Sequence, residues 1–208
     1  MPDGRKEELL ELAYAYVREH GLVQLSLRPL AAAIGSSPRV LLFLFDSKDG
    51  LVRALLARAR RDELRLLGET GPADGLPEAG AQVWSWLSDP DHRPLLTLWV
   101  EAYARSLIES DGPWAGFAAE TVADWLEVLA RAQPAATRDT ERATAQRTAV
   151  LALLRGALLD LLATGDTART TAAVSAQLET WARPGRGLGA TEAYLRAQPT
   201  MPGTPRSG

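Results

Sequence analysis

Hydrogen-bond donors suited to phosphate oxygens and base edges are concentrated between residues 28 and 48. They are Arg28, Ser36, Ser37, Arg39 and Lys48. An arginine can contact guanine through two parallel N–H groups, and arginine, lysine and serine side chains commonly contact DNA phosphates. These residues could therefore contact double-stranded DNA, provided that the fold places them along one groove.

The segment that carries these donors has the pattern of two short helices joined by a tight turn at Gly35. Ser26 is a good N-cap for the first of these helices, and Ser37 followed by Pro38 is a favourable start for the second. A short turn that contains glycine between two helices is typical of a helix-turn-helix, which places its second helix in the major groove. Arg39 then lies in the first turn of the groove-binding helix, where base edges are contacted.

Each of these donors also has a competing structural explanation. Lys48 and Arg28 open the fourth and second helices, and helix N-termini in such motifs face the DNA backbone. Ser36 and Ser37 could contact phosphates or bases, but Ser37 is equally suited to capping the third helix. For Arg28, Arg39 and Lys48 the alternative is a solvated surface cation.

Two further helices complete an N-terminal domain. Residues 5–20 repeat apolar residues at the spacing of one helix face, and Gly21 ends that helix. Ser47 is placed to cap a fourth helix, which has the same kind of spacing. A loop rich in glycine and proline follows at residues 68–77. The sequence therefore predicts a helix-turn-helix domain at 1–66 that includes the linking fourth helix.

The chain that follows is predicted to be helical up to residue 183. Helical spacing recurs in five segments, and no alternating strand pattern is present. The segments are 78–88, 92–109, 114–132, 139–164 and 167–183. The fold class is therefore predicted as all-α, with a three-helix helix-turn-helix head and a C-terminal helical body at 67–183. Residues 184–208 are rich in glycine and proline and are predicted to be mostly disordered.

Composition and charge are those of a globular protein. The chain has 46% hydrophobic and 24% charged residues, a net charge of −3 and no cysteine. Residues 1–65 hold 11 lysines and arginines against 9 acidic residues, and residues 66–208 hold 12 against 17. The slightly basic N-terminal part suits DNA, although the difference is small. The absence of cysteine, a signal peptide and an apolar stretch of about 20 residues predicts a cytoplasmic protein without a membrane partner.

Aromatic residues of the body are candidates for a small-molecule site. All six tryptophans lie beyond residue 66, and Trp99 and Tyr103 share a helix face because they are four residues apart. Aromatic side chains commonly line such sites. We predict that the lining residues are Trp99, Tyr103, Trp114 and Trp125. The alternative for each tryptophan is an ordinary place in the hydrophobic core.

The last two predicted helices carry the strongest candidates for self-association. The helix at 139–164 is apolar nearly all round and must be covered on more than one side. With the helix that follows, it would form a four-helix interface between two subunits. The predicted interface residues are Leu151, Leu154, Leu158, Val174, Leu178 and Trp181. The competing interpretation is that the same residues form the core of a single chain.

Catalytic and metal-binding patterns are weak. The two histidines, His20 and His92, lie far apart in sequence and have no metal-ligand spacing. Asp89 and Asp91 flank a proline and are typical of a helix start. The glycines at 185–189 have no preceding strand, so they do not indicate a nucleotide-binding loop. We therefore expect no enzymatic activity, no metal and no cofactor.

Residues 9–56 resemble the TetR family of bacterial transcriptional regulators. The residues that carry the resemblance are the helix end at Gly21, Ser26, Leu30-Ala31, Ile34-Gly35, Leu41, Phe45 and Ser47-Lys48. The body matches only in its helix plan, with Leu153 to Gly156 falling at the family's eighth helix. The resemblance implies an all-α homodimer with an N-terminal DNA-binding head and a small-molecule pocket in the body. It also implies repression that a ligand relieves.

The third helix departs from the family pattern. It ends in six consecutive apolar residues, from Val40 to Phe45, and Leu42 stands where a phosphate-contacting tyrosine is common. Leu41 and Phe45 are expected in the core. Apolar side chains can contact thymine methyl groups, so DNA binding is still expected, although with fewer phosphate contacts.

Two functions from different classes fit these observations. The leading hypothesis is a ligand-responsive, homodimeric DNA-binding repressor that a small apolar or aromatic effector releases from its operator. The alternative is a helical ligand-binding or protein-interaction module with a degenerate head that binds DNA weakly. An all-α enzyme is the third hypothesis and has the least support, because no acid, base, nucleophile or metal constellation is present.

Overall fold

The computed structural model describes residues 2–22, 25–68, 73–109 and 111–183, and this part of the chain is helical without a strand. The prediction of an all-α fold is therefore confirmed. The helices are α1 (Pro2–His20), α2 (Leu27–Ala33), α3 (Pro38–Phe45), α4 (Lys48–Gly68), α5 (Leu76–Leu87), α6 (Arg93–Ile108), α7 (Phe117–Ala130), α8 (Glu141–Thr164) and α9 (Thr167–Ala182). Short 3₁₀ turns at Pro90–His92 and Gly112–Trp114 precede α6 and α7.

Helices α1 to α3 and the start of α4 form the head around one apolar core. Its buried side chains include Leu9, Val17, Leu30, Leu41 and Leu51. The turn between α2 and α3 is the predicted one. Gly35 has φ +64°, a conformation that glycine adopts without strain, and the Ser36 N–H donates to the Ala31 carbonyl at 2.8 Å.

The predicted helix caps of the head are confirmed at two serines and not at the third. Ser37 Oγ accepts from Val40 N at 3.3 Å, and Ser47 Oγ accepts from Gly50 N at 2.9 Å. Ser26 stands at the N-cap position of α2, but its side chain makes no capping hydrogen bond. The capping explanation for Ser37 therefore describes what its hydroxyl does in this structure.

Helix α4 links the head to the body. It starts at Lys48 beside α3 and continues to Gly68, so it crosses the predicted domain boundary at residues 66 and 67 without a break. It packs against α1 and α3 of the head and against α6 and α7 of the body. A shift of α4 would therefore change contacts in both the head and the body.

The predicted dimer-interface side chains of α8 and α9 lie in the core of a single chain. The buried ones are Leu151, Leu154, Leu158, Val174 and Leu178. Helix α5 packs against both α8 and α9, and a Cβ added at its Gly80 would stand 3.0 Å from Leu178 and 3.2 Å from Val150. Trp181 is half-buried and lines a cavity of about 220 Å³ with Leu76 and Gln133. Five of the six predicted interface residues are therefore covered by their own chain, as the competing interpretation expected, and Trp181 is covered only in part.

The outward faces of α8 and α9 carry small side chains instead. On α8 one set of exposed residues repeats every three or four positions, which keeps these residues on one side of the helix. They are Ala145, Thr148, Ala152, Gly156, Leu159 and Ala163. On α9 the corresponding residues are Ala168, Ala172 and Ala176. Leu159 is 52% exposed, which makes it the large apolar side chain of this face.

No single helix of the described segments is both long and apolar enough to cross a membrane. Helices α2 and α3 pass the same criterion as a pair by length and composition, although they are bent by 102°. The predicted disordered segment at 184–208 lies outside the described residues.

Candidate nucleic-acid interface and effector site

Helix α3 presents an exposed face that is almost entirely apolar. Leu41 and Phe45 are buried in the head, as predicted. Val40 is 39% exposed, Leu42 is 41% exposed and Phe43 is 80% exposed. Arg39 is also exposed and is the polar side chain of this helix. The helix thus offers one guanidinium group beside three apolar side chains.

The other predicted DNA-contacting residues lie at helix starts in the head. Arg28 is the second residue of α2 and Lys48 is the first residue of α4, and both are exposed. Ser36 precedes α3, and its Oγ is buried without a hydrogen-bond partner. Ser37 Oγ is occupied in the cap of α3. Among the predicted residues, the exposed cations are therefore Arg28, Arg39 and Lys48.

Three of the four predicted aromatic residues meet in the body. The rings of Trp99 and Tyr103 stack with centroids 4.9 Å apart, and the Trp99 and Trp125 rings are tilted with centroids 6.5 Å apart. These side chains come from α6 and α7. The cluster is extended by Glu63 of α4 and Arg155 of α8, which both bond to its members. Four helices therefore contribute to one aromatic and polar cluster.

The fourth predicted residue, Trp114, lies at the junction between head and body. It is buried in the 3₁₀ turn before α7, and this turn packs against α4. Trp114 lines a cleft of about 340 Å³ together with Leu22, Lys48 and Arg105. The structure therefore does not place Trp114 with the other three aromatic residues.

Glu63 is a buried carboxyl group at the edge of the aromatic cluster. Its side chain is 3% exposed, and Oε1 accepts from Trp125 Nε1 at 2.7 Å. Burial raises the pKa of Glu63 to about 8, although the Trp125 hydrogen bond acts in the opposite direction. At neutral pH this carboxyl group is therefore largely protonated and neutral.

Arg155 brings a guanidinium group to the same cluster. Nη1 donates to Tyr103 Oη at 3.2 Å, and Cζ lies 5.1 Å from the centre of the Tyr103 ring. Its Nε and Nη2 are buried without a hydrogen-bond partner, as is Trp99 Nε1. Burial lowers the pKa of Arg155. Buried donors without acceptors are costly, so these N–H groups are suited to a bound molecule with acceptor atoms.

Glu63 and Arg155 were not among the candidate residues predicted from the sequence. A signal was nevertheless present in the helical spacing. Glu63 continues the buried side of α4 from Leu56 and Ala59, and Arg155 follows Leu151 by four residues on the buried side of α8. A charged residue on the apolar stripe of a helix is a candidate for a functional site, because its burial must be compensated.

The body contacts the head directly through Glu101. The Leu22 backbone N–H, just beyond α1, donates to Glu101 Oε2 at 2.8 Å. Glu101 lies on α6 between Trp99 and Tyr103. A second link joins α1 to α4, where Tyr14 Oη donates to Asp62 Oδ2 at 3.2 Å. Helix α4 therefore carries both Glu63 of the aromatic cluster and Asp62, which contacts the head. Helix α6 likewise carries two of the clustered aromatic residues and Glu101, which contacts the head.

Comparison by sequence gives no match to a family model and none to a curated protein. Comparison by structure gives high similarity to several solved proteins. A transcriptional regulator from Rhodococcus sp. Rha1 has 19% identity and a TM-score of 0.68, over 84% of this chain and 94% of that chain. A TetR transcription regulator from Haloarcula marismortui has 18% identity and a TM-score of 0.63, over 85% and 96%.

A third similar structure is the multidrug binding protein EbrR in complex with imidazole. It has 22% identity and a TM-score of 0.62, over 84% of this chain and 89% of that chain. The similarity extends across both the head and the body, because in each comparison more than four-fifths of this chain is aligned. The chain has the fold of the TetR-family transcriptional regulators.

Proposed function

We propose that the protein is a DNA-binding transcriptional regulator of the TetR family that acts as a homodimer in the cytoplasm. The observation that carries this proposal is the helix-turn-helix head, with Arg39 on the exposed face of α3 and exposed cations at the starts of α2 and α4. Groove-binding helices contact base edges with their N-terminal residues. We further propose that it is a repressor released by a small effector.

The proposed dimer forms through the small-residue faces of α8 and α9. Small side chains allow close approach of helices from two subunits, and Leu159 supplies apolar area toward the C-terminal end of the α8 face. Residues Ala152 and Gly156 lie near the middle of α8, so this part of the helix would stand at the crossing point. A twofold-symmetric dimer would then present two heads to two half-sites of an operator.

The proposed effector site is the aromatic cluster of Trp99, Tyr103 and Trp125 with Glu63 and Arg155. The similar multidrug binding protein EbrR was solved with imidazole and with proflavin, so a protein with this fold can accept small molecules. The unpaired N–H groups of Arg155 and Trp99 favour an effector that combines an apolar ring with an acceptor such as a carboxylate. The site would then be largely apolar with a few orienting polar groups.

Coupling between the proposed effector site and DNA would pass through α6 and α4. An effector that displaces Trp99 or Tyr103 moves α6, and Glu101 on the same helix holds the Leu22 amide of the head. Glu63 connects the cluster to α4, which continues into the head. The separation of the two heads would change and their match to the half-sites would be lost. Such coupling typically amounts to about 1–3 kcal/mol and is reciprocal.

Substitution of Arg39 and Lys48 tests the DNA-binding function. Arg39→Ala is expected to lose about 1–3 kcal/mol for the specific operator and to relax preference at one base pair. Lys48→Ala is expected to weaken binding to every duplex and to reduce the salt slope by about one unit. Gel shifts at several salt concentrations, with operator and random duplexes, measure both effects. Equal losses on all sequences would make Arg39 a phosphate contact.

Substitution of Arg155 tests the effector site. Benzoate and benzamide are a matched pair that differ in the charge of the acceptor group. Benzoate is expected to change tryptophan emission and to raise the melting temperature more than benzamide, because Arg155 can donate two N–H groups to a carboxylate. Arg155→Met is expected to remove this preference. Equal responses of the wild type to both compounds would contradict the assignment.

The second candidate function is a ligand-binding or protein-interaction module whose head binds DNA weakly. The observation in its favour is the exposed apolar face of Val40, Leu42 and Phe43, because such faces commonly mark protein interfaces. Gel shifts with the Arg39 and Lys48 variants distinguish the two candidate functions. Unchanged binding by Arg39→Ala and Lys48→Ala would favour this second function.

A further inference from the structure

The outward face of α3 is chemically unusual for a surface that contacts polar base edges. Val40 and Phe43 are three residues apart, and Arg39 stands four residues before Phe43, so these side chains share one side of the helix. Phe43 is 80% exposed. Side chains of valine, leucine and phenylalanine have no hydrogen-bond donor or acceptor. On this face only Arg39 can therefore form hydrogen bonds with a base.

The charges around this face favour DNA as the molecule that covers it. Helices α2 and α3 contain no acidic residue, and exposed Arg28, Arg39 and Lys48 lie at the N-terminal ends of α2, α3 and α4. Exposed Asp46 and Asp49 lie between the end of α3 and the first turn of α4, so these three cations remain in excess. An apolar protein partner would gain nothing from this cationic edge. The major groove of DNA offers phosphates at its edges and one apolar group on its floor, the C5 methyl of thymine. DNA can therefore contact both the exposed cations and the apolar face of the head.

We propose that Phe43, with Val40 and Leu42, selects operators by contact with thymine methyl groups, next to the guanine that Arg39 contacts. This inference rests on the proposed function, since it specifies what the head recognises in DNA. Each half-site would contain thymines at the positions that face Phe43 and its neighbours. Base preference there would come from burial of a methyl group and not from hydrogen bonds.

The test uses duplexes that lack single methyl groups. Duplexes that bind the full-length protein are first enriched from a random library, and each thymine is then replaced by deoxyuridine. This replacement removes the C5 methyl and keeps base pairing and the O4 acceptor. We expect about fourfold weaker binding for each contacted methyl, from the free energy of burying one such group. The same replacement in both half-sites should weaken binding about fifteenfold, if the two effects add.

Two variants assign the effect to a side chain. When the replaced base is the one that Phe43 faces, Phe43→Ala is expected to bind the thymine duplex and the deoxyuridine duplex almost equally. Leu12→Ala removes an apolar side chain that is 43% exposed on α1 and should keep the full preference. Gel shifts with each variant on each duplex complete a double-mutant cycle.

The outcomes separate this inference from the proposed function. An enriched duplex whose binding is unaffected by every deoxyuridine would overturn the thymine contact and leave DNA binding intact. A methyl preference that Phe43→Ala retains in full would overturn the role of Phe43. Failure to enrich any duplex would overturn both proposals. Loss of self-association by Phe43→Ala in sedimentation, with unchanged DNA binding, would assign the face to a second copy of the chain and overturn the inference.

Discussion

Ala152→Arg is expected to convert the protein into a monomer that has lost most of its affinity for an operator. Ala152 is exposed at the middle of the small-residue face of α8, where the proposed dimer requires close approach of two helices. An arginine there adds a long side chain and places two like charges near the twofold axis. Sedimentation should give about 22.4 kDa, in place of twice this mass for the wild type.

Loss of the dimer should reduce operator binding by about 100-fold or more, because two linked heads bind far more tightly than one. Ala119→Arg is the matched control, since Ala119 is exposed on α7, away from the proposed interface. The control should remain dimeric and bind DNA normally. The interface assignment fails if Ala152→Arg remains a dimer, or if the wild type is itself a monomer at micromolar concentration.

Glu63→Gln is expected to remove a large part of the pH dependence of stability. Burial raises the pKa of Glu63 to about 8, above its ordinary value of 4.5, so the folded protein holds this proton more tightly than the unfolded chain. The stabilisation from protonated Glu63 is fully present below pH 4.5. It is lost as the pH rises through about 8. Glutamine is always neutral and can still accept from Trp125 Nε1.

The measurement is the free energy of unfolding in urea between pH 5 and pH 8. Relative to Glu63→Gln, the wild type should lose about 1.4 kcal/mol per pH unit over most of this interval. Glu7→Gln, at an exposed position of α1, is the control and should follow the wild type. Parallel pH profiles for the wild type and Glu63→Gln would mean that Glu63 is ionised at neutral pH.

The protonation state of Glu63 also affects the expected affinity for the effector. A neutral Glu63 leaves the guanidinium of Arg155 without a formal negative partner in the cluster, and this supports an effector with an anionic group. If Glu63 ionised, it would compete with such an effector for Arg155. Effector affinity is therefore expected to fall as the pH rises through the pKa of Glu63.

The sequence by itself determined the elements of the head. Ser37 and Pro38 begin α3, Gly35 makes the turn, and Leu41 and Phe45 alternate with exposed residues at helical spacing. These features depend on contacts within a few residues, so their physical causes can be recognised without the fold. The exposed residues of α3 followed from the same spacing, since the helix has one side against the core.

Only the tertiary structure decided which apolar and charged residues of the body face its interior. A helix that is apolar nearly all round does not reveal which side another helix of the same chain will cover. The side chains of Leu151, Leu154 and Leu158 were therefore assigned to a dimer, although they are buried within a single chain. Glu63 and Arg155 meet the aromatic cluster because α4, α6, α7 and α8 converge. Trp114 is separated from the cluster because it lies in the turn before α7, which packs against α4 at the junction with the head. Such relations arise between segments distant in sequence, where packing of the whole chain, and not local spacing, sets which side chains lose contact with water.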